Sequence, residues 1–189
     1  MASPPAQPVF YYDLGDPGCY VTAERIMAEL GRVGPVPEWE PVYGPGLGWT
    51  PPPPDPDQLA QTIAAEGLLP LHLPAAWPPD SAFAMRVATY AKGGGRAVAF
   101  SLAAFRQVFA GGRDLGDEGT VLLAAAACEM HPAAVLKGTG LRSVGEKLAR
   151  AGERALQAGV TQLPAIQAGA EIFQGNRALE RAAEALVTA

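Results

Sequence analysis

Asp16-Pro17-Gly18-Cys19 follows the short apolar run Val9-Phe10-Tyr11-Tyr12 and opens a helical pattern that continues to about Leu30. A strand that hands the chain directly to the first turn of a helix leaves backbone N–H groups and the positive dipole end facing outward. That corner can hold an anion or lower the pKa of a thiol. A second stretch lies far along the chain, Val160-Thr161-Gln162-Leu163-Pro164-Ala165-Ile166, and sets a proline immediately before an apolar strand.

The surrounding composition bounds the problem. The chain has 189 residues, 49% hydrophobic and 17% charged, with 22 Gly and 19 Pro. That is enough for one domain with a sizeable core, or a smaller one with an insertion. The net charge of −5, with no basic run, offers nothing to a nucleic acid. Two cysteines do not make a disulfide framework. Met1 to Pro8 lacks a basic region followed by an apolar core, so it does not read as a secretory signal. The longest apolar run, Val121 to Cys128, is too short to span a membrane. A soluble, cytoplasmic protein is the expectation.

Periodicity then gives the elements. Val9–Tyr12 reads as a buried strand, followed by a helix from Pro17 with Tyr20, Ala23, Met27 and Leu30 on one face and Gly31 as its stop. Trp39–Tyr43 reads as a second strand, and Gly44–Pro56, with Pro51-Pro52-Pro53-Pro54, as an extended loop. Helices are predicted over 57–65, 81–92 (with Asp80 as cap), 97–109 and 119–129, with Gly67–Pro79 irregular between the first two and Gly93-Gly94-Gly95 as a breaker. Ser143-Val144-Gly145-Glu146 has the form of a capping box opening a helix to Ala158. Strands at 165–168 and 171–173 form a hairpin, and a last helix runs over 176–187.

In this order the elements resemble the DsbA-like thioredoxin superfamily, in the branch of 2-hydroxychromene-2-carboxylate isomerases and kappa-class glutathione transferases. The residues that carry the resemblance run from Phe10 to Leu186. They are Asp16-Pro17-Gly18-Cys19-Tyr20, Trp77-Pro78-Pro79-Asp80-Ser81 with Met85-Arg86-Val87-Ala88, Phe105-Arg106-Gln107-Val108-Phe109, and the tail Leu163-Pro164 with Phe173-Gln174-Gly175-Asn176. The resemblance implies an α/β, thioredoxin-like fold with an inserted all-helical block. Residues 9–66 and 143–189 would form the discontinuous thioredoxin-like domain and 67–142 the insertion, after an extended or disordered 1–8. It further implies that Pro164 is a cis-proline abutting Asp16, and that the Leu163 backbone pairs with a bound peptide or glutathione as a short added strand. By itself Leu163-Pro164 also reads as an ordinary turn.

Departures from the family pattern decide the chemistry. A dithiol oxidoreductase needs one thiol to attack and another to resolve the mixed disulfide. Only the second position, Cys19, is kept; Cys128 lies in an apolar helical stretch and reads as a core residue. One-cysteine chemistry with an outside thiol is left. The isomerase and transferase branch has serine where Asp16 stands, and an ionised aspartate has no proton to donate to a thiolate. Asp before Pro is equally a favoured helix start, so Asp16 reads either as a plain cap or as a ligand-orienting acid. The family's Gly-Gln-Asp-Arg tract becomes Gly175-Asn176-Arg177-Ala178, with Arg177 suited to a carboxylate or phosphate or simply solvated. The proline-rich loop also lacks the isomerases' Gly-Asn and Lys features.

The candidate site therefore has Asp16 and Cys19 as catalytic residues, with Tyr12, Pro17, Tyr20, Trp77, Leu163, Pro164, Asn176 and Arg177 around the substrate. The aromatics among them line a pocket against the helical block or belong to the core. Arg86 and Arg106 face the same cleft or the solvent. His72 and His131 have no Cys or His partner at metal spacing. No metal or other cofactor is required. Glutathione is the cofactor of the resembled branch, and the three departures count against it. Three functions follow: an oxidoreductase-like protein acting through Cys19 on a small-molecule or thiol substrate, a glutathione-dependent isomerase-like or transferase-like enzyme, and a non-catalytic binding protein. The resemblance adds a homodimer as a candidate assembly.

Overall fold

A computed structural model describes residues 7–188. Residues 1–6 of the expected extended N-terminus lie outside it. Four strands, β1 (Val9–Tyr12), β2 (Glu38–Pro41), β3 (Ala165–Ala168) and β4 (Glu171–Gln174), form one sheet in the order β2-β1-β3-β4. β1 runs parallel to β2 and antiparallel to β3, with Phe10 opposite both Trp39 and Ile166. The β3–β4 hairpin turns at Gly169, whose φ of 61° suits glycine. This mixed sheet with helices around it is the thioredoxin-like α/β architecture.

Alternation along β1 divides the core. Phe10 and Tyr12 point to one face, where they meet Trp39, Phe105 and the helices. Tyr11 points to the other, with Val42, Ala155 and Val160. α1 (Pro17–Leu30) buries Cys19, Tyr20, Ala23, Ile26 and Leu30. Ile26 thus takes the place expected of Met27, which is 37% exposed.

Between β2 and β3 lie a 3₁₀ turn (Pro45–Leu47), α2 (Pro56–Ala65), α3 (Ala82–Gly93), α4 (Ala97–Phe105), α5 (Glu118–Ala127), α6 (Pro132–Thr139) and α7 (Arg142–Gln157), and α8 (Ala178–Thr188) follows β4. The helix predicted over 97–109 divides: α4 stops at Phe105 and a π turn, Arg106–Ala110, completes it. Cys128, expected as a buried core residue, is the C-cap of α5 and packs against the core only half-buried. The capping box at Ser143 does not form, because α7 begins at Arg142 behind Leu141 and makes no side-chain cap bond. No single helix among the described residues is long and apolar enough to cross a membrane.

Two features brace the frame that carries the site. Asp13 is buried and accepts from Gly15 N–H and Gly44 N–H, both at 2.8 Å, tying the end of β1 to the loop after β2. Burial pushes its carboxyl pKa up. Glu40, also buried, pairs with Lys92 of α3 at 2.8 Å and Arg154 of α7 at 2.9 Å.

Candidate functional site

The chain enters α1 through Asp16, which is extended (φ −105°, ψ 118°) and whose Oδ1 accepts from Gly18 N–H at 2.7 Å and Cys19 N–H at 3.1 Å. Pro17 at the first helical position needs no such partner. The aspartate is therefore a helix cap, as its sequence context suggests. Only Oδ1 is engaged in this cap; Oδ2 receives no hydrogen bond from the described residues.

Oδ2 belongs to a residue that lines a cleft of about 810 Å³. One wall is α1, from Asp16 and Gly18 to Thr22 and Arg25; the back is Gln162, Leu163, Gly175, Asn176 and Glu180. The opposite wall is Pro51–Pro54 with Asp55, Gln58, Leu59, Thr62 and Glu66 of α2 and its ends. Desolvation in this corner outweighs the two backbone hydrogen bonds, and the nearby Asp13 adds to it, so the Asp16 carboxyl pKa is pushed up to about 7.

The Leu163-Pro164 bond is cis, as is Trp77-Pro78. Pro164 faces the start of α1, and its carbonyl accepts from Gly175 N–H at 2.9 Å. The Leu163 peptide N–H and carbonyl make no backbone hydrogen bond among the described residues, which leaves a short open edge on the cleft.

Asp16, Pro17, Leu163 and Asn176 are brought together, with Pro164 behind them. The other expected site residues are placed elsewhere. Cys19 is 0% exposed, and desolvation together with the neighbouring Asp16 charge pushes its thiol pKa well up. A reactive thiolate needs an electropositive, partly open setting, so Cys19 is a core residue here. Tyr12 is fully buried with its hydroxyl 2.7 Å from Ser101 Oγ, and Tyr20 stacks on Phe109 at 5.5 Å. Both rings cover apolar surface on the inner faces of their elements, not the cleft. Trp77 packs half-buried on the main core, and Arg177 is exposed; neither lines the cleft.

Arg86 and Arg106 are not cleft residues either. Arg86 donates to the Thr139 and Leu141 carbonyls at the end of α6, and Arg106 forms a bidentate pair with Glu24 at 2.7 Å. His131 caps α6, its Nδ1 accepting from Ala133 N–H at 3.2 Å. Among the described residues no group of three or more His, Cys, Asp or Glu side chains is placed to hold a metal.

The residues missed in the sequence are Arg25 and the acids around it. Arg25 reaches Glu29 at 2.7 Å, Glu66 at 3.0 Å and Glu180 at 2.8 Å, with its side chain only 15% exposed. Gly18, Thr22 and Arg25 are spaced four and three apart, which places Arg25 on the helix face that Asp16 begins. That spacing was the available signal.

This geometry tests glutathione directly. Glutathione carries two carboxylates beside its ammonium and offers a thiolate, and the cleft lining has one cation for those three acidic groups. That cation, Arg25, is already surrounded by three carboxylates. Arg177, the other candidate, stands outside, and ionised Asp16 repels a thiolate. The residues present do not fit glutathione.

A family model described as a DSBA-like thioredoxin domain matches residues 56–187. No curated protein sequence matches the chain. Several solved structures share its fold. A 2-hydroxychromene-2-carboxylate isomerase superposes with a TM-score of 0.80 at 18% identity, covering 96% of this chain and 94% of that one. A probable DsbA oxidoreductase from Streptomyces coelicolor gives 0.77 at 21% identity, with 96% and 88% covered. The cytosolic disulfide reductase DsbM from Pseudomonas aeruginosa gives 0.69 at 16% identity, with 97% and 98% covered.

Proposed function

This chain belongs to the family of DSBA-like thioredoxin domains, and from that membership we propose an acid/base enzyme of the isomerase kind, with Asp16 as the group that moves the proton. The fold is shared by disulfide oxidoreductases and by an isomerase, so it does not choose between them. The cleft favours the second. Thiol exchange needs an accessible thiolate, and Cys19 is sealed in the core with its pKa raised.

The observation that carries the reading is the Asp16 carboxyl on the cleft wall, with a free Oδ2 and a pKa of about 7. A group titrating there is populated in both forms at neutral pH, which suits general acid–base work. In the ionised form Oδ2 takes a proton from a carbon next to a substrate carbonyl. The resulting acid returns that proton to a different carbon of the same molecule. Bond order shifts within the substrate, no group leaves, and no external oxidant, reductant or thiol takes part. The open Leu163 peptide edge supplies a donor and an acceptor to orient the substrate carbonyl.

The test is deuterium uptake from D₂O at carbons beside the carbonyl in a panel of small aromatic ketones and amino ketones, followed by proton NMR. Catalysed uptake should rise with pH through about 7. It should fall by roughly 10²- to 10⁴-fold in Asp16→Asn, which keeps the cap acceptor, and persist in Cys19→Ala. Uptake unchanged in Asp16→Asn overturns the reading. Ligand binding with no uptake in the wild type makes the cleft a binding site only.

A further inference from the structure

We propose that the Asp16 cleft selects a substrate carrying a positive charge, an organic ammonium joined to an apolar body, and turns away carboxylates. The inference builds on the cleft assigned above and gives its substrate class. Five charged residues line the cleft: Asp16, Asp55, Glu66 and Glu180 against Arg25 alone. Among the described residues no lysine and no second arginine reaches it. Arg25 is held by Glu66 and Glu180 from the cleft side and by Glu29 from its own helix, so its charge is more than balanced before any ligand enters.

The strongest opposing influence is the backbone. The N-termini of α1 and α2 both open onto this space, and each contributes about half a positive charge. Each is already met by its own cap: Asp16 on α1, and Asp55, whose Oδ1 accepts from Asp57 N–H at 3.0 Å and Gln58 N–H at 3.1 Å. The balance therefore stays negative even with Asp16 protonated. Arg25 Nε has no hydrogen-bonded acceptor, and Glu180, with its side chain 31% exposed, gives Oε1 to Arg25 while its Oε2 is buried with no donor among the described residues. An ammonium group brings donors and no acceptor, which is what such an oxygen lacks.

The rest of the lining says what the ammonium is attached to. Val21, Leu59, Leu163 and Pro51–Pro54 supply the apolar part of the lining. A hydrocarbon or aromatic body fits there, and a second charged group does not.

A matched set of ligands tests this by calorimetry or NMR titration at low salt and pH 7.5: phenethylamine, the neutral phenethyl alcohol, 3-phenylpropionate, and glutathione. The amine should bind about tenfold or more tighter than the carboxylate. That preference should shrink with added salt and in Asp55→Asn, which keeps the α2 cap while removing its charge. Glutathione should show no saturable binding. Equal or tighter carboxylate binding, saturable glutathione binding, or no binding of the amine at millimolar concentration overturns the inference. The same titrations in Asp16→Asn keep the two proposals apart. Charge preference there, with ketone exchange absent even from the wild type, leaves this inference standing and removes the catalytic one.

Discussion

Gly18 lies against Pro164 so closely that a Cβ on the glycine would stand 3.1 Å from the proline Cδ and 3.1 Å from Asp16 Oδ1. The first turn of α1 and the Leu163-Pro164 corner are thus packed so closely that a side chain at Gly18 would make one of them give by a few tenths of an ångström. Gly18→Ala should gain helix propensity of up to about 1 kcal/mol and yield it again to this contact. Thermal stability should therefore change little while the corner moves by tenths of an ångström. Turnover in the deuterium-uptake assay should drop on the order of tenfold, because small misplacements of reacting groups are costly. Full activity with a raised Tm would mean the corner yields freely and does not set the site.

The Asp16 carboxyl couples stability to pH in a direction opposite to that of a salt-bridged acid. In the unfolded chain it titrates near 3.9, and in the fold at about 7. The folded state therefore holds the extra proton between these values. Its contribution is complete below about pH 4 and is lost as pH rises to about 7. Asp16→Asn, which cannot ionise, should gain on the wild type by roughly 2–4 kcal/mol between pH 4 and pH 8. Urea melts at the two pH values measure this. Asp13, also raised by burial, is present in both proteins and cancels from the difference. A difference independent of pH would show Asp16 ionised throughout.

Cysteine labelling should separate the two thiols by environment. Cys128 is half-buried at a helix end, and Cys19 is fully enclosed. Iodoacetamide at pH 8 should modify Cys128 in the native protein and Cys19 only on unfolding, read by peptide mass spectrometry. Prompt native labelling of Cys19 would restore the one-thiol mechanism.

Much of the frame was legible because its signals are local. Val9–Tyr12, the Asp16-Pro17 start of α1 and the β3–β4 hairpin each declare themselves within a few residues. Of the expected site residues, those that reach the cleft corner lie on the stretches that turn the chain, Asp16-Pro17 and Leu163-Pro164, and at Asn176. The aromatic residues misled because Tyr12 and Tyr20 present large apolar area, and the core claimed both rings. The far wall was invisible for a different reason. α2 buries a single residue, Ile63, so nothing in its pattern says which surface it covers. Arg25 likewise has partners in α8, in α2's end and in its own helix, and sequence order does not reveal such a cluster. At Ser143 a good local signal lost to α7 taking its N-cap two residues earlier, at Leu141. α6 went unread although Pro132 at its first position was the available cue.

Gly138 of α6 carries a second close approach, remote from the cleft. A Cβ there would fall onto Tyr90 Cε2 and 2.6 Å from Cδ2, so the ring of Tyr90 on α3 occupies the space a side chain would need. Gly138→Ala should destabilise by about 1–3 kcal/mol in denaturant titrations. In a Tyr90→Ala background the same change should cost much less, giving a clear coupling energy. Additive effects would place the strain elsewhere.

The sheet order β2-β1-β3-β4 has a consequence for how the molecule is made. β1 is synthesised first of the four strands, and its partner β3 emerges more than 150 residues later, as the separation of 156 between the bonded Tyr11 and Gln167 illustrates. Phe10 and Tyr12 must wait with one edge of their strand unpaired while the intervening helices leave the ribosome. Helices such as α3 to α6 can form from near neighbours meanwhile, but the corner joining Asp16 to Pro164 closes only after residue 164 has emerged. A nascent chain stalled before residue 164 should thus expose an apolar strand edge and hold no cleft.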